Sequence, residues 1–203
     1  MISIIDYGMG NLGSILNMMK KIGAAAQIVS NPDEIARSDK IILPGVGSFD
    51  HGMRNLDERG LRQALEECVI HNNKPVLGIC LGMQLMTKSS EEGELPGLGW
   101  IDAVTNKFRF DDSSMKVPHM GWNSVDIRRA DSLYKDMYAE PRFYFVHSYF
   151  VECREPAEIL TTTCYGHNFV SSFQRNNIMG VQFHPEKSHK FGMKLLQSFA
   201  EYA

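Results

Sequence analysis

The sequence predicts an α/β fold: a mostly parallel central sheet flanked by helices, with a smaller antiparallel sheet inserted in the C-terminal half. Three observations carry this reading. From Met1 to Ile79, short apolar runs alternate with amphipathic helical stretches, the pattern of βαβ units and a parallel sheet. After Ser89-Ser90-Glu91-Glu92-Gly93 the texture changes to short strands separated by turn-rich segments, which reads as antiparallel or mixed pairing. Between these halves lies Lys74–Gln84, whose first half is a short apolar run with Pro75 at its mouth, read as a buried strand. It runs into the helical composition of Leu81–Met86, with Cys80 between them.

The elements follow in order. Met1–Asp6 is a first strand, then Tyr7-Gly8-Met9-Gly10-Asn11-Leu12-Gly13 leads into a helix from about Ser14 to Ile22. Those glycines have the G-x-G-x-x-G spacing at Gly8, Gly10 and Gly13 and invite a phosphate-loop reading. That pattern alone is weak, no Gly-Lys-Ser/Thr follows, and a strand-to-helix turn needs glycine anyway, so an ordinary turn is expected. Ala25–Val29 is a second strand, and Asn31-Pro32-Asp33-Glu34 opens a short helix with a capping signature. Asp39–Leu43 is a third strand ending in Pro44-Gly45-Val46-Gly47-Ser48-Phe49, followed by an amphipathic helix over Gly60–Asn73. The second half offers strands at Gly99–Phe108, Val117–Trp122, Phe143–Val151, Glu158–Tyr165 and Asn168–Gln174, with a hairpin tip at Tyr165-Gly166-His167-Asn168 and a closing helix over Gly192–Ala203.

Composition bounds the function. At 203 residues and 43% hydrophobic, the chain suits one substantial core, and we read residues 1–203 as a single domain. A net charge of −3 argues against nucleic acid or an anionic membrane as partner. No apolar run approaches the roughly 18 residues that span a bilayer. Met1–Asp6 lacks the basic segment of a signal peptide. Cys68, Cys80, Cys153 and Cys164 are widely spaced, which suits reduced thiols in a cytoplasmic protein better than a disulfide frame. His119, His147, His167 and His189 are scattered without metal-ligand spacing, so packing or surface roles are expected, and no metal or cofactor.

Two stretches carry chemistry. Gly78-Ile79-Cys80-Leu81-Gly82 is a cysteine version of the nucleophile elbow, in which a sharp strand-to-helix turn exposes a nucleophile above a sheet. A Cβ at either glycine would obstruct the turn or the substrate. Gly180-Val181-Gln182-Phe183-His184-Pro185-Glu186 delivers His184 at a strand end, with Glu186 on the same side if the chain stays extended. A thiol nucleophile needs a base for its proton and an acid for the leaving group, and histidine serves as both. A carboxylate behind the ring fixes its tautomer, so Cys80, His184 and Glu186 make a complete nucleophile, base and orienter. The Pro44–Phe49 loop is either an ordinary βα turn or, through a rotating peptide between Val46 and Gly47, an oxyanion donor.

These motifs resemble the three signatures of the class I (triad) glutamine amidotransferases. Pro118-His119-Met120-Gly121-Trp122-Asn123 and Tyr144-Phe145-Val146-His147-Ser148-Tyr149 narrow the likeness to glutaminase subunits of imidazole glycerol phosphate synthase. The resemblance spans nearly the whole chain, from Ile5-Asp6-Tyr7-Gly8-Met9-Gly10-Asn11 to the closing helix. It implies a flavodoxin-like fold and hydrolysis of L-glutamine at Cys80, with Val46, Gly47 and Leu81 at the oxyanion hole. It also implies that Gln84, Glu92, Ser148 and Tyr149 hold the glutamine backbone end. Asn11, Trp122, Tyr144 and Lys187 would face a (β/α)₈ cyclase of the HisF type, joined as a heterodimer, which receives the ammonia and makes imidazole glycerol phosphate and an aminoimidazole carboxamide ribotide. Gly13 and the Ser48–Met53 stretch depart from the family pattern, which leaves room for a paralogue feeding surface-sugar biosynthesis. Free-standing γ-glutamyl hydrolysis and a catalytically dead scaffold are the readings from other classes.

Overall fold

The computed structural model describes residues 1–111, 114–130 and 132–202. Strands β1 (Ile2–Ile5), β2 (Ala26–Val29), β3 (Lys40–Leu43) and β4 (Val76–Ile79) form a parallel sheet in the order β2-β1-β3-β4. Consecutive residues of these strands bury on opposite faces: Ile4, Ile42 and Leu77 on one side, Ile5, Leu43 and Val76 on the other. That is why the runs read as continuously apolar, since a parallel sheet covered on both faces has no polar side.

Helix α1 (Leu12–Lys21) covers one face. The other is covered by α3 (Phe49–Glu58) and α4 (Leu61–Glu66), with α2 (Pro32–Ala36) beside them. The expected cap of α2 forms, with the Asn31 side chain accepting from the Glu34 N–H at 3.0 Å. Helix α3 is an addition to the elements read from the sequence. Its residues Phe49, Gly52, Met53 and Leu56 sit at helical spacing and are buried. The helix expected over Gly60–Asn73 is interrupted: Gly60 adopts a left-handed conformation between α3 and α4, and α4 continues as a π-helical segment, Glu67–His71. Helix α5 (Leu81–Leu85) follows β4 directly.

The later strands are β5 (Ala103–Lys107), β6 (His119–Ser124), β7 (Asp126–Ile127), β8 (Arg142–His147), β9 (Tyr149–Cys153), β10 (Ile159–Tyr165), β11 (His167–Arg175) and β12 (Ile178–Val181). Strand β12 adds parallel to β4, and β11 and β10 then continue the same sheet antiparallel. The antiparallel half is therefore mostly continuous with the parallel sheet, and a separate small antiparallel sheet is made by β6 and β8. Expected as one strand, Phe143–Val151 is two. The chain leaves the small sheet at Ser148 and enters the main one, where β9 pairs with β5 and β11. The break places Ser148 and Tyr149 at a corner. The tip at Gly166 forms as expected, with Tyr165 opposite His167. Helix α6 (His189–Tyr202) closes the described chain against α1. Among the described residues no helix is long and apolar enough to cross a membrane.

Candidate active site

The site lies at the carboxyl ends of the parallel strands, where open α/β sheets place their ligands. Cys80 has φ 55° and ψ −111°, a strained backbone for a residue with a side chain, held by a hydrogen bond from its N–H to Val181 O at 2.8 Å. Both flanking glycines are sterically required. A Cβ on Gly82 would lie 1.8 Å from Leu43 O, and one on Gly78 would lie 2.8 Å from the Gly82 carbonyl and the Met83 Cα. Leu81 opens α5, so its N–H has no intrahelical partner, and the residue lines the cavity over the thiol.

His184 meets the strand end in extended conformation, φ −102° and ψ 95°, as the following Pro185 favours. Beyond it the chain does not stay extended, contrary to expectation: Pro185–Lys187 form a 3₁₀ turn. The turn, not the pleat, carries Glu186 back to the ring, where His184 Nδ1 lies 2.8 Å from Glu186 Oε1. Nδ1–H donates to that carboxylate, which leaves Nε2 for the thiol; Nε2 is buried without a hydrogen-bond partner among the described residues. Burial alone would lower the ring's pKa. Cys80 and Glu186 together outweigh it and raise the ring's pKa to about 10.

A cavity of ≈ 230 Å³ opens over Cys80, lined by Val46, Gly47, Leu81, Gln84, Glu92, Ser148 and Tyr149 among others. Every oxyanion-hole and substrate-binding candidate from the sequence is therefore in one place. Gln84 is almost fully buried, and its Nε2 donates to Tyr149 O at 3.1 Å and to Gln182 Oε1 at 3.0 Å. With both amide hydrogens committed, only its Oε1 remains to accept from a ligand. Glu92 Oε2 accepts from the Phe49 N–H at 2.9 Å, and burial raises its carboxyl pKa. Gly47 has φ 123°, a region that favours glycine, and Val46 beside it is exposed.

Three residues of the site escape sequence reasoning. Gln182 sits inside a motif that sequence alone picks out, yet only the structure shows its Nε2 3.8 Å from Cys80 Sγ. Tyr7 is fully buried and donates its hydroxyl to Pro44 O at 2.6 Å, anchoring the base of the Val46–Gly47 loop. His147 lines the cavity next to Ser148. The last two lie in motifs that carry the resemblance, but the sequence does not mark their roles, because the Tyr7–Pro44 and His119–His147 contacts join residues distant in the chain.

Three of the four expected interface residues converge. Trp122 is 46% exposed; it stacks on His189 with centroids 5.5 Å apart and meets Tyr144 edge-on at 6.4 Å. Lys187 Nζ lies 5.7 Å from the Tyr144 ring centroid. Asn11 is exposed at the start of α1, the helix that packs against the 185–187 turn. The described residues contain no group of three or more His, Cys, Asp or Glu placed to hold a metal.

Residues 3–202 match the family model described as glutamine amidotransferase class-I. The chain is 55% identical to "Imidazole glycerol phosphate synthase subunit HisH 2" of Methanococcus maripaludis, covering 100% of both chains. It is 48% identical to the protein of the same description in Pseudomonas aeruginosa, over 99% of both. In fold it is similar to the crystal structure of a glutamine amidotransferase from Thermotoga maritima, with a TM-score of 0.71 at 16% identity, covering 98% of this chain and 96% of that one.

Proposed function

This chain belongs to the class I glutamine amidotransferases, and on that membership and the geometry at Cys80 we propose that it is the glutaminase subunit of an imidazole glycerol phosphate synthase. It hydrolyses L-glutamine to glutamate and ammonia and passes the ammonia to a (β/α)₈ cyclase subunit in histidine biosynthesis, in the cytoplasm. The observation that carries the reading is the His184–Glu186 contact beside a thiol on a strained elbow. Relatives described as HisH subunits over the full length support the pathway.

In this reading, glutamine lies with its side-chain amide over Cys80 and its ammonium between Glu92 and Gln84 Oε1. The thiolate, paired with the His184 imidazolium, attacks the amide carbon. The oxyanion receives the Leu81 N–H and the peptide N–H between Val46 and Gly47. His184 gives its Nε2 proton to the departing nitrogen, the C–N bond breaks, and ammonia leaves a glutamyl thioester. Water, deprotonated by His184, then attacks the thioester, releasing glutamate and restoring the thiolate. Glu186 orients and stabilises the ring throughout. Exposed Trp122 and Lys187, both against half-buried Tyr144, face the cyclase, with Asn11 beside them.

Supplying glutamine labelled with ¹⁵N at the side-chain amide to the mixed subunits tests this. The label is expected in imidazole glycerol phosphate even when unlabelled ammonium is present in excess; label diluted to the level of bulk ammonium would overturn channelling to that acceptor.

A further inference from the structure

The glutamine pocket is tied to the small β6–β8 sheet by two buried histidines. His147 Nδ1 lies 2.7 Å from the backbone carbonyl of Tyr149, and its Nε2 lies 3.0 Å from His119 Nδ1, directly across the β6–β8 ladder. His119 Nε2 in turn lies 3.2 Å from Asn123 Nδ2, which also donates to Cys164 O at 3.0 Å. The proton positions follow from the acceptors at both ends. A carbonyl cannot donate, so His147 carries its proton on Nδ1 and its Nε2 must accept from His119 Nδ1–H. At the far end, the Cys164 carbonyl fixes the Asn123 NH₂ toward His119, whose Nε2 must then accept. The two ends dictate the same tautomers, so the chain has one direction, from Asn123 to Tyr149.

We propose that His119 and His147 are positioning residues for glutamine: the one-way chain Asn123 to His119 to His147 to the Tyr149 carbonyl fixes the Ser148–Tyr149 corner and, through it, Gln84. The inference rests on the glutaminase reading above and deepens it. The corner is where the chain switches from one sheet to the other. Strand β5 holds it from one side, with Tyr149 opposite Lys107 and Ser148 O accepting from the Phe108 N–H at 3.0 Å, and the histidine chain holds the Tyr149 carbonyl. The Tyr149 carbonyl accepts from both His147 and Gln84, and that second bond keeps Gln84 Oε1 turned to the cavity. Burial pushes the ring pKa values down to about 4 for His119 and about 3 for His147, which keeps both rings neutral and the chain intact near neutral pH.

The rings also pack. His119 lies flat between Phe145 and Tyr165, at 4.7 and 4.0 Å, and His147 touches Phe108 and Phe169. Packing and positioning predict opposite orders for two substitutions. His147→Asn keeps a donor near the Nδ1 position but leaves a void; His147→Phe fills the ring cluster but donates nothing.

The experiment follows alkylation of the Cys80 peptide by mass spectrometry in the full chain, with the glutamine analogue diazo-oxo-norleucine and, separately, with iodoacetamide. Positioning expects His147→Phe to slow analogue labelling by roughly 10-fold or more and His147→Asn to stay within about 3-fold of the parent, as expected for losing or keeping one buried hydrogen bond. Iodoacetamide labelling should be unchanged in both. Equal analogue rates, or Asn slower than Phe, would overturn the proposal. His119→Asn against His119→Phe must show the same order, which keeps the test decisive if one variant fails to fold. Failure of the analogue to label Cys80 in the unsubstituted chain would sink the glutaminase reading itself, whereas a reversed order with normal parent labelling sinks only the relay.

Discussion

His184 Nδ1 lies 2.8 Å from Glu186 Oε1 across a single 3₁₀ turn, with both side chains almost fully buried. A buried carboxylate needs a hydrogen-bonded partner, and the His184 ring supplies one. Replacing Glu186 with Gln removes that charge and releases the tautomer. In that variant kcat for glutamine hydrolysis should fall about 10²–10⁴-fold with KM little changed. A loss confined to KM would contradict the orienting role.

The same pair sets a pH dependence. The folded pKa of His184 is raised from 6.5 to about 10, so its stabilising contribution is complete below pH 6.5 and is lost as pH rises through about 10. Denaturant titrations between those values should show stability falling with pH, and His184→Asn should flatten that fall. Because Cys80 is one of the groups raising the pKa, Cys80→Ala should move the ring's NMR titration to lower pH.

His119 and His147 act in the opposite sense. Their folded pKa values are depressed from 6.5 to about 4 and about 3, so the stability they contribute is present above pH 6.5 and lost as pH falls toward those values. Acid unfolding of a His119→Gln variant should be less steep with pH than that of the parent; identical slopes would argue against a buried neutral pair.

Two glycines give a paired test of the elbow. A Cβ on Gly82 would meet Leu43 O at 1.8 Å, whereas one on Gly13 in α1 meets nothing within 4 Å. Gly82→Ala should cost about 3 kcal/mol or more in stability, and Gly13→Ala should gain about 0.5–1 kcal/mol from helix propensity. Thermal melts of both variants check this. Gly47→Ala is a poorer probe of loop rotation, because φ 123° makes a side chain there strained before any movement.

On the face proposed to meet the partner, Trp122 is an exposed aromatic stacked on His189 and in edge contact with Tyr144. Trp122→Ala should weaken association with the cyclase subunit by roughly 2 kcal/mol or more, the range of interface aromatics, while Cys80 labelling by iodoacetamide stays the same. Titration calorimetry reads the first and mass spectrometry the second.

What the sequence discloses is local. Cys80 with its two glycines, and His184 with Glu186, are legible because each role is carried by residues within a few positions of one another. The parallel strands are legible because both faces are covered and their runs are mostly apolar, with Ser3 in β1 and Gln27 in β2 as interruptions. Helix α3 is hidden by Gly52 and by polar residues on its outer face. Phe143–Val151 reads as one strand because alternation continues through Ser148, and nothing in it announces a change of sheet. The His119–His147 contact spans 28 residues and depends on the β6–β8 register, which periodicity does not supply.

The most direct test is ammonia release from glutamine by the chain alone, and by the chain mixed with a histidine-pathway cyclase plus the cyclase's ribonucleotide ligand. We take the peptide between Val46 and Gly47 to complete the oxyanion hole only when the liganded partner is bound, which predicts strong stimulation, abolished by Cys80→Ala. Turnover that is independent of the partner, or that survives Cys80→Ala, would contradict it.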